Sequence, residues 1–138
     1  MKYLVISDIH GASQALEQAL SWKEKLGAVK ILLLGDILYH GPRNDLPVPY
    51  APKDVAARLN GLKEQIVAVQ GNCDAEVDQM VLEFPIMKAF ETLRLGDGRK
   101  VILTHGHRNE YQMGLSYGCV VLSGHTHIAT AEQDAEGV

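Results

Sequence analysis

The sequence predicts an α/β fold in which helices pack against β-sheets. Short apolar runs typical of buried strands alternate with stretches of helical period through the first 82 residues. The rhythm then changes to a β-hairpin followed by one more apolar run. A chain of 138 residues has the usual length of one domain, so we expect a single domain over residues 1–138.

The alternating part contains three strands and three helices. The predicted strands are residues 3–7, 30–36 and 66–72, and the predicted helices are residues 12–26, 54–62 and 74–82. Gly27 follows the first helix at the position where glycine commonly ends a helix. Asp74 stands where an N-cap residue would begin the third helix.

The second part of the chain predicts strands rather than helices. Residues 88–106 indicate a hairpin with the turn Gly-Asp-Gly at 96–98, and residues 119–124 indicate a buried strand. The loop 39–52 contains four prolines and has no helical or strand pattern. Loops of this length are usually functional or mobile, so this one is expected to form a lid or an assembly surface.

Composition and charge exclude several classes of protein. Hydrophobic residues make up 46% and charged residues 22%, as in soluble globular proteins, and the net charge of −4 argues against a broad nucleic-acid-binding surface. No apolar run approaches the ~20 residues of a membrane span, and no signal-peptide pattern opens the chain. Cys73 and Cys119 form neither a CxxC pair nor a disulfide framework, so we expect a cytoplasmic location.

Five of the predicted strands end in, or are followed at once by, residues of types that bind metals. These residues are Asp8, His10, Asp36, Asn72, His105, His125 and His127. Ligands of α/β folds bind beyond the carboxyl ends of the strands, so all seven side chains are expected around one point. Four of the six histidines in the chain belong to this set.

Seven ligands favour two metal ions over one, because a single zinc ion takes about four. Two divalent ions outweigh the charge of Asp8 and Asp36, so the site stays cationic and suits a phosphate ester. Ions about 3.5–4 Å apart activate a hydroxide nucleophile and clamp an in-line displacement. Manganese is the expected metal, with Ni²⁺, Zn²⁺, Fe or Mg²⁺ as alternatives.

Five motifs in this order resemble the calcineurin-like metallophosphoesterase superfamily and, within it, a branch of small bacterial phosphodiesterases. The motifs are Asp-x-His at 8–10, Gly-Asp at 35–36, Gly-Asn at 71–72, His-Gly-His at 105–107 and Gly-His-Thr-His at 124–127. The resemblance implies a four-layer α/β/β/α sandwich with a dinuclear metal centre. It implies one ion held by Asp8, His10, Asp36 and His127, and a second held by Asp36, Asn72, His105 and His125. Asn72 is also expected to touch the phosphate.

The chain departs from the superfamily pattern at two places. Cys73 stands where the wider superfamily has a histidine that protonates the leaving group, and a thiol of pKa ~8.5 matches that task less well than imidazole. Members of the superfamily also usually continue for several strands beyond the last motif. We therefore expect the C-terminal strands of the second sheet to be missing from this chain.

The predicted function is a metal-dependent phosphodiesterase that acts on a small phosphodiester substrate, with no stable nucleic-acid partner and no membrane partner. The predicted catalytic residues are Asn72, Cys73 and Asp74, although Asp74 fits an N-cap better. The alternatives are a phosphomonoesterase, a dinucleotide-polyphosphate hydrolase and a non-catalytic protein-binding scaffold of the same fold. Contact of His40 and Arg43 with substrate phosphate and the formation of a homo-oligomer both stay open.

Overall fold

Two three-stranded sheets form the centre of the protein. The computed structural model describes residues 1–135 and 137–138. The strands are β1 (Tyr3–Ile6), β2 (Lys30–Leu33), β3 (Ile66–Ala68), β4 (Phe90–Arg94), β5 (Lys100–Thr104) and β6 (Val120–Leu122). The helices are α1 (Ser13–Leu26), α2 (Pro52–Asn60) and α3 (Glu76–Val81), and short 3₁₀ helices lie at Lys63–Gln65 and Glu110–Gly114.

The first sheet is parallel and has the order β1-β2-β3. Leu33 at the end of β2 lies opposite Ile6 of β1 and Ala68 of β3. The carboxyl ends of the three strands therefore meet at one edge of the sheet. The loops that carry the first predicted ligands leave the sheet from this edge.

The central strand β2 separates two hydrophobic cores, which explains why its sequence is almost entirely apolar. Ile31 and Leu33 pack with buried side chains of α1 and α2, such as Leu16 and Leu59. On the opposite face, Leu32 packs with buried residues of the second sheet. The layers are thus helices, first sheet and second sheet.

The second sheet pairs β4 with β5 antiparallel and β5 with β6 parallel. Val101 and Leu103 of β5 face the first sheet, while Ile102 faces the other side and lies against Gly114 of the second 3₁₀ helix. Leu122 of β6 lies opposite Leu103. The mixed α/β fold with two sheets and helices is confirmed. In the described part of the chain, the outer face of the second sheet carries this 3₁₀ helix.

The helix ends confirm one prediction and correct another. Gly27 has φ 66° and its N–H donates to Glu24 O at 3.2 Å, as predicted for the end of α1. The prediction of Asp74 as an N-cap is wrong, because α3 begins at Glu76 and the Asp74 carboxylate is bonded elsewhere. Within the described residues, no helix combines the length and apolar character needed to cross a membrane.

Candidate active site

The loops after β1, β2 and β3 are bonded to one another just beyond the ends of their strands. Asp8 N–H donates to Gly35 O at 3.1 Å, and His10 N–H donates to Asp36 O at 3.0 Å. The third loop approaches so closely that a Cβ atom at Gly71 would lie 2.1 Å from Asp36 Oδ1. This contact requires glycine and places all three loops around the Asp36 carboxylate.

Positive φ angles in the described part of the chain, glycines apart, occur only at predicted metal ligands. The five residues are Asp8 (56°), His10 (49°), Asp36 (56°), His125 (72°) and His127 (56°). A side chain in this left-handed region costs roughly 1–2 kcal/mol. Such strain concentrates at functional sites, where the surrounding structure holds the side chain in a required direction.

Asp8, His10 and His127 form one group of potential ligand atoms. His127 Nε2 lies 3.0 Å from Asp8 Oδ1 and 3.3 Å from His10 Nε2. His10 Nε2 is 3.6 Å from the same Asp8 oxygen. The ligand atoms of the three residues all lie within 4.8 Å of one another, close enough to share a metal ion.

Asp36, His105 and His125 form a second group of the same kind, and Asn72 joins it. His105 Nε2 lies 3.3 Å from Asp36 Oδ2, 3.2 Å from His125 Nδ1 and 2.9 Å from Asn72 Oδ1. The two groups meet at Asp36, because His10 Nε2 is 3.6 Å from Asp36 Oδ2. One carboxylate therefore lies between two clusters of ligand atoms.

Backbone carbonyls orient the two most buried imidazoles. His10 Nδ1 lies 2.8 Å from Tyr39 O, and His105 Nδ1 lies 2.6 Å from Leu34 O. A carbonyl oxygen only accepts hydrogen bonds, so both Nδ1 atoms must be donors. This leaves each Nε2 atom facing the clusters, which is the arrangement that metal-binding histidines show in proteins.

Asp36 and His105 are a buried, electrostatically coupled pair, 2% and 0% exposed. Burial by itself raises the pKa of Asp36, but hydrogen bonds from His105 and from Cys73 N–H bring that pKa below its usual value. Burial likewise lowers the pKa of His105, but the bonds to Asp36 and Leu34 O bring it above its usual value. The pocket around Asp36 thus favours a positive charge beside this carboxylate.

Asp74 holds the loops in place from beneath the site. Its carboxylate accepts three backbone N–H groups, from Gly71 at 2.7 Å, Asp36 at 2.8 Å and Ile37 at 2.9 Å. Burial raises the pKa of Asp74, and the three N–H donors oppose this effect. Asp74 is 5% exposed and both of its carboxylate oxygens are bonded to backbone N–H groups, an arrangement that fits a positioning role better than the predicted catalytic one.

Asn72 and Cys73 face the cavity next to Asp36. The exposed Asn72 amide nitrogen lies 3.6 Å from Cys73 Sγ. Burial and the nearby Asp36 carboxylate raise the pKa of the Cys73 thiol to about 11, against the positive charge of Arg43. The thiol therefore stays protonated at neutral pH.

A cavity of about 820 Å³ opens above the two clusters. Its lining includes six of the predicted site residues, which are His10, Asp36, Asn72, Cys73, His125 and His127. Asp8 lines a smaller adjoining cavity together with Ser7. A larger groove of about 1020 Å³ runs along β6, but neither metal-ligand cluster contributes to its lining.

Two further histidines, His40 and His107, lie outside the two clusters. His107 lies 5.3 Å from His105 between ring centroids, and burial, with the charge of His105, lowers its pKa. His40 lies between the rings of Tyr39 and Tyr50. In the described structure, the Nδ1 atoms of His40 and His107 have no hydrogen-bond partner.

Several residues of the site were not predicted from sequence. Ser7 Oγ donates to Asp8 Oδ2, and the carbonyls of Leu34 and Tyr39 orient two imidazoles. Every residue carries a carbonyl, so nothing in the sequence singles these two out. Ser7 directly precedes Asp8, and this adjacency was the one available signal.

The chain is similar to known phosphoesterases over its whole length. The sequence model of the calcineurin-like phosphoesterase superfamily domain matches residues 1–138. Phosphodiesterase YfcE of Escherichia coli strain K12 is 46% identical over 138 residues, which cover 99% of this chain and 74% of that protein.

Solved structures show the same relationship. The structure of YfcE, described as a phosphoesterase from E. coli, superposes with a TM-score of 0.91 at 45% identity, over 99% of this chain and 75% of that one. An archaeal phosphodiesterase superposes with a TM-score of 0.68 at 23% identity, over 99% of this chain and 79% of that one. The archaeal likeness concerns the fold alone.

Proposed function

Because this chain belongs to the calcineurin-like phosphoesterase superfamily, we propose that it is a metal-dependent phosphodiesterase acting on a small phosphodiester. The observation that carries the proposal is the position of the Asp36 carboxylate between two clusters of ligand atoms. A relative at 46% identity carries the name phosphodiesterase, and this supports a diester as the substrate.

The donor set fits two divalent ions. With both Nδ1–H groups committed to carbonyls, the Nε2 atoms of His10 and His105 are the ring atoms that face the carboxylate and amide oxygens of the site. These nitrogen and oxygen atoms are held close together by positive charge, which a proton on Nε2 supplies in the metal-free site and which a bound metal ion would supply in its place. Four imidazoles, two carboxylates and one amide form a mixed nitrogen and oxygen set suited to first-row transition metals.

Each ion would be held by four of the seven predicted residues. Asp8, His10, Asp36 and His127 would hold one ion, and Asp36, Asn72, His105 and His125 would hold the other. We propose Mn²⁺ as the resident metal, with Ni²⁺, Zn²⁺, Fe and Mg²⁺ as alternatives to test. When bound, two such ions supply Lewis acidity and a water of lowered pKa for attack on phosphorus.

The residues of this chain orient the diester and assist its leaving group. The exposed amide of Asn72 is placed to donate to a non-bridging phosphate oxygen. The Cys73 thiol lies in the same cavity and is the group of this chain best placed to offer a proton to a departing oxygen. A thiol matches this task less well than an imidazole, so diesters with good leaving groups should react fastest.

The net charge of the chain supports a small substrate, and the state of its cysteines supports a cytoplasmic location. The net charge of −4 favours a small substrate over a nucleic-acid polymer. Cys73 and Cys119 are both free thiols, which agrees with a cytoplasmic location.

The test is hydrolysis of bis(4-nitrophenyl) phosphate after dialysis against chelator and re-addition of Mn²⁺. We expect no activity without metal, full activity with it, and a loss of about a hundredfold or more in Asp36→Asn, because that ligand serves both clusters. Asp97→Asn is the matched control, since Asp97 is exposed and pairs with Arg99 in the hairpin turn. Activity that survives chelation or the Asp36 substitution would contradict the proposal.

Two further measurements distinguish a diester from a monoester substrate and determine the number of bound metal ions. A higher kcat/KM for 4-nitrophenyl phosphate than for the diester would make the protein a phosphomonoesterase. Elemental analysis should find two metal ions per chain in the wild type. A single ion would contradict the dinuclear centre.

A further inference from the structure

We propose that Arg43 binds a second anionic group of the substrate, so that the preferred diester carries a phosphate or carboxylate in addition to the reacting phosphate. This inference rests on the proposed phosphodiesterase function and adds the charge class of the substrate. It follows from where the loop 39–44 lies and from what surrounds the Arg43 side chain.

The loop 39–44 is held directly above the active site. Tyr39 O accepts from His10 Nδ1 at 2.8 Å, and Asn44 Nδ2 donates to His40 O at 2.7 Å. Gly41, at φ 81°, lies so close that an added Cβ atom would be 3.1 Å from Cys73 Sγ. The loop is therefore anchored at its start and closed by its own turn, and it presents Arg43 to the cavity.

Arg43 forms no ion pair with any residue that the structure describes. It is exposed, and among the residues that line the 820 Å³ cavity it is the only lysine or arginine. In residues 1–135 and 137–138 the ion pairs of basic side chains other than histidine belong to Arg58, Lys63, Lys88, Arg99 and Arg108. A guanidinium presents forked donors that match a phosphate or carboxylate, so Arg43 is available to such a group.

The metal-ligand clusters, where the reacting phosphate would bind, and Arg43 lie at different depths of the cavity. Asp36 and His10, which belong to the metal-ligand clusters, are 2% and 7% exposed and form the floor. Arg43 is exposed and stands at the rim, on the side of Cys73. Because a cavity of about 820 Å³ matches the sites of drug-sized ligands rather than of one phosphate group, the substrate extends from the floor to this rim.

The experiment compares two diesters that differ in charge on their arms. Bis(4-nitrophenyl) phosphate carries only the reacting charge, while bis(3-carboxy-4-nitrophenyl) phosphate carries a carboxylate on each arm, so either arm can meet Arg43. Kinetics of the Mn²⁺-loaded wild type, Arg43→Gln and Arg43→Lys are measured with both. Arg94→Gln is the matched control, because Arg94 lies beside the hairpin turn, at the end of β4 away from the site.

In Arg43→Gln we expect KM for the carboxylated diester to rise about tenfold and kcat to stay unchanged, because one charge-assisted contact is lost. KM for bis(4-nitrophenyl) phosphate, whose arms are uncharged, should change less than about twofold, and Arg43→Lys should recover part of the loss because it keeps the charge. Added salt should weaken the effect, since the rim is exposed.

Three results would overturn the inference or separate it from the proposed function. An equal loss on both diesters would place Arg43 on the reacting phosphate, and no loss on either would leave it a solvated side chain. If the wild type hydrolyses neither diester, the proposed function fails, and calorimetric titration of the same two compounds decides the inference. Binding of the carboxylated diester that weakens in Arg43→Gln would uphold it, and binding that does not depend on Arg43 would refute it.

Discussion

Asp74→Asn should lower the free energy of unfolding of the metal-free protein by about 2 kcal/mol. The carboxylate of Asp74 is 5% exposed and accepts N–H groups from Gly71, Asp36 and Ile37. Oδ2 accepts two of these bonds and Oδ1 accepts the third, from Ile37. Asparagine offers one oxygen and one NH₂ group in the same space. It can therefore keep either the two bonds that Oδ2 accepts or the one bond that Oδ1 accepts, but not all three.

The magnitude follows from the three bonds. If the amide oxygen takes the place of Oδ2, the NH₂ group faces Ile37 N–H, and a buried unpaired donor costs roughly 1–3 kcal/mol. The two retained bonds change from charged to neutral acceptors and weaken by about 1 kcal/mol each. Removal of a buried charge offsets part of this, because burial raises the pKa of Asp74 and so opposes its ionised form.

Urea unfolding followed by far-UV circular dichroism measures the difference, with equal m-values required for the comparison. Asp78→Asn is the matched control, since Asp78 is half-buried and its carboxylate accepts a single bond, from Ala75 N–H at 2.9 Å, which an amide oxygen can also accept. That variant should lose less than about 0.5 kcal/mol. An Asp74→Asn protein as stable as Asp78→Asn would refute the idea that Asp74 holds the loops together.

Three other predictions concern loops around the site. Gly71→Ala should cost about 3 kcal/mol or more, because its Cβ would lie 2.1 Å from Asp36 Oδ1, whereas Gly96→Ala, with nothing within 4 Å, should change stability little. In the metal-free protein, His127→Gly should be more stable than His127→Ala by about 1 kcal/mol, since the residue has φ 56°. Cys73 in the metal-free protein, with its pKa raised to about 11, should react with iodoacetamide at pH 8 roughly a hundredfold more slowly than free cysteine.

Each of these predictions has a measurement that can contradict it. Chemical denaturation compares the two glycine variants and the two His127 variants, and equal stability within either pair would be the contrary result. Mass spectrometry follows alkylation as a function of pH, with Cys73→Ala reporting any reaction of the buried Cys119. A labelling rate that levels off near pH 8 would show that the thiol is not protected.

The clustering of the candidate ligand residues could be predicted from sequence because of how parallel strands are arranged. Asp8, Asp36 and Asn72 follow strands whose carboxyl ends share one edge of a sheet, so their order along the chain already implies their proximity. His105 and His125 follow β5 and β6, which are also parallel to each other. Each of these segments could be recognised as a buried strand because it is a short apolar run.

The role of Asp74 could not be predicted in the same way. Its position before a helical stretch fits an N-cap, and this local rule is sound. In the structure its carboxylate instead pairs with the backbone of Asp36 and Ile37, which are 38 and 37 positions away. Hydrogen bonds from three N–H groups of two loops are more favourable for this carboxylate than the capping of one helix. Only the packing of those loops brings the three N–H groups together.

The sequence by itself determined the layer that carries the site, the kinds of ligand atom and the absence of a histidine at Cys73. The tertiary structure decided which nitrogen of each imidazole faces the clusters, because the carbonyl that orients His105 lies 71 residues away. It also decided the left-handed backbone of candidate ligands such as Asp36 and His127, which no side-chain preference favours. Residue type is a local property, whereas orientation and strain depend on contacts between distant segments.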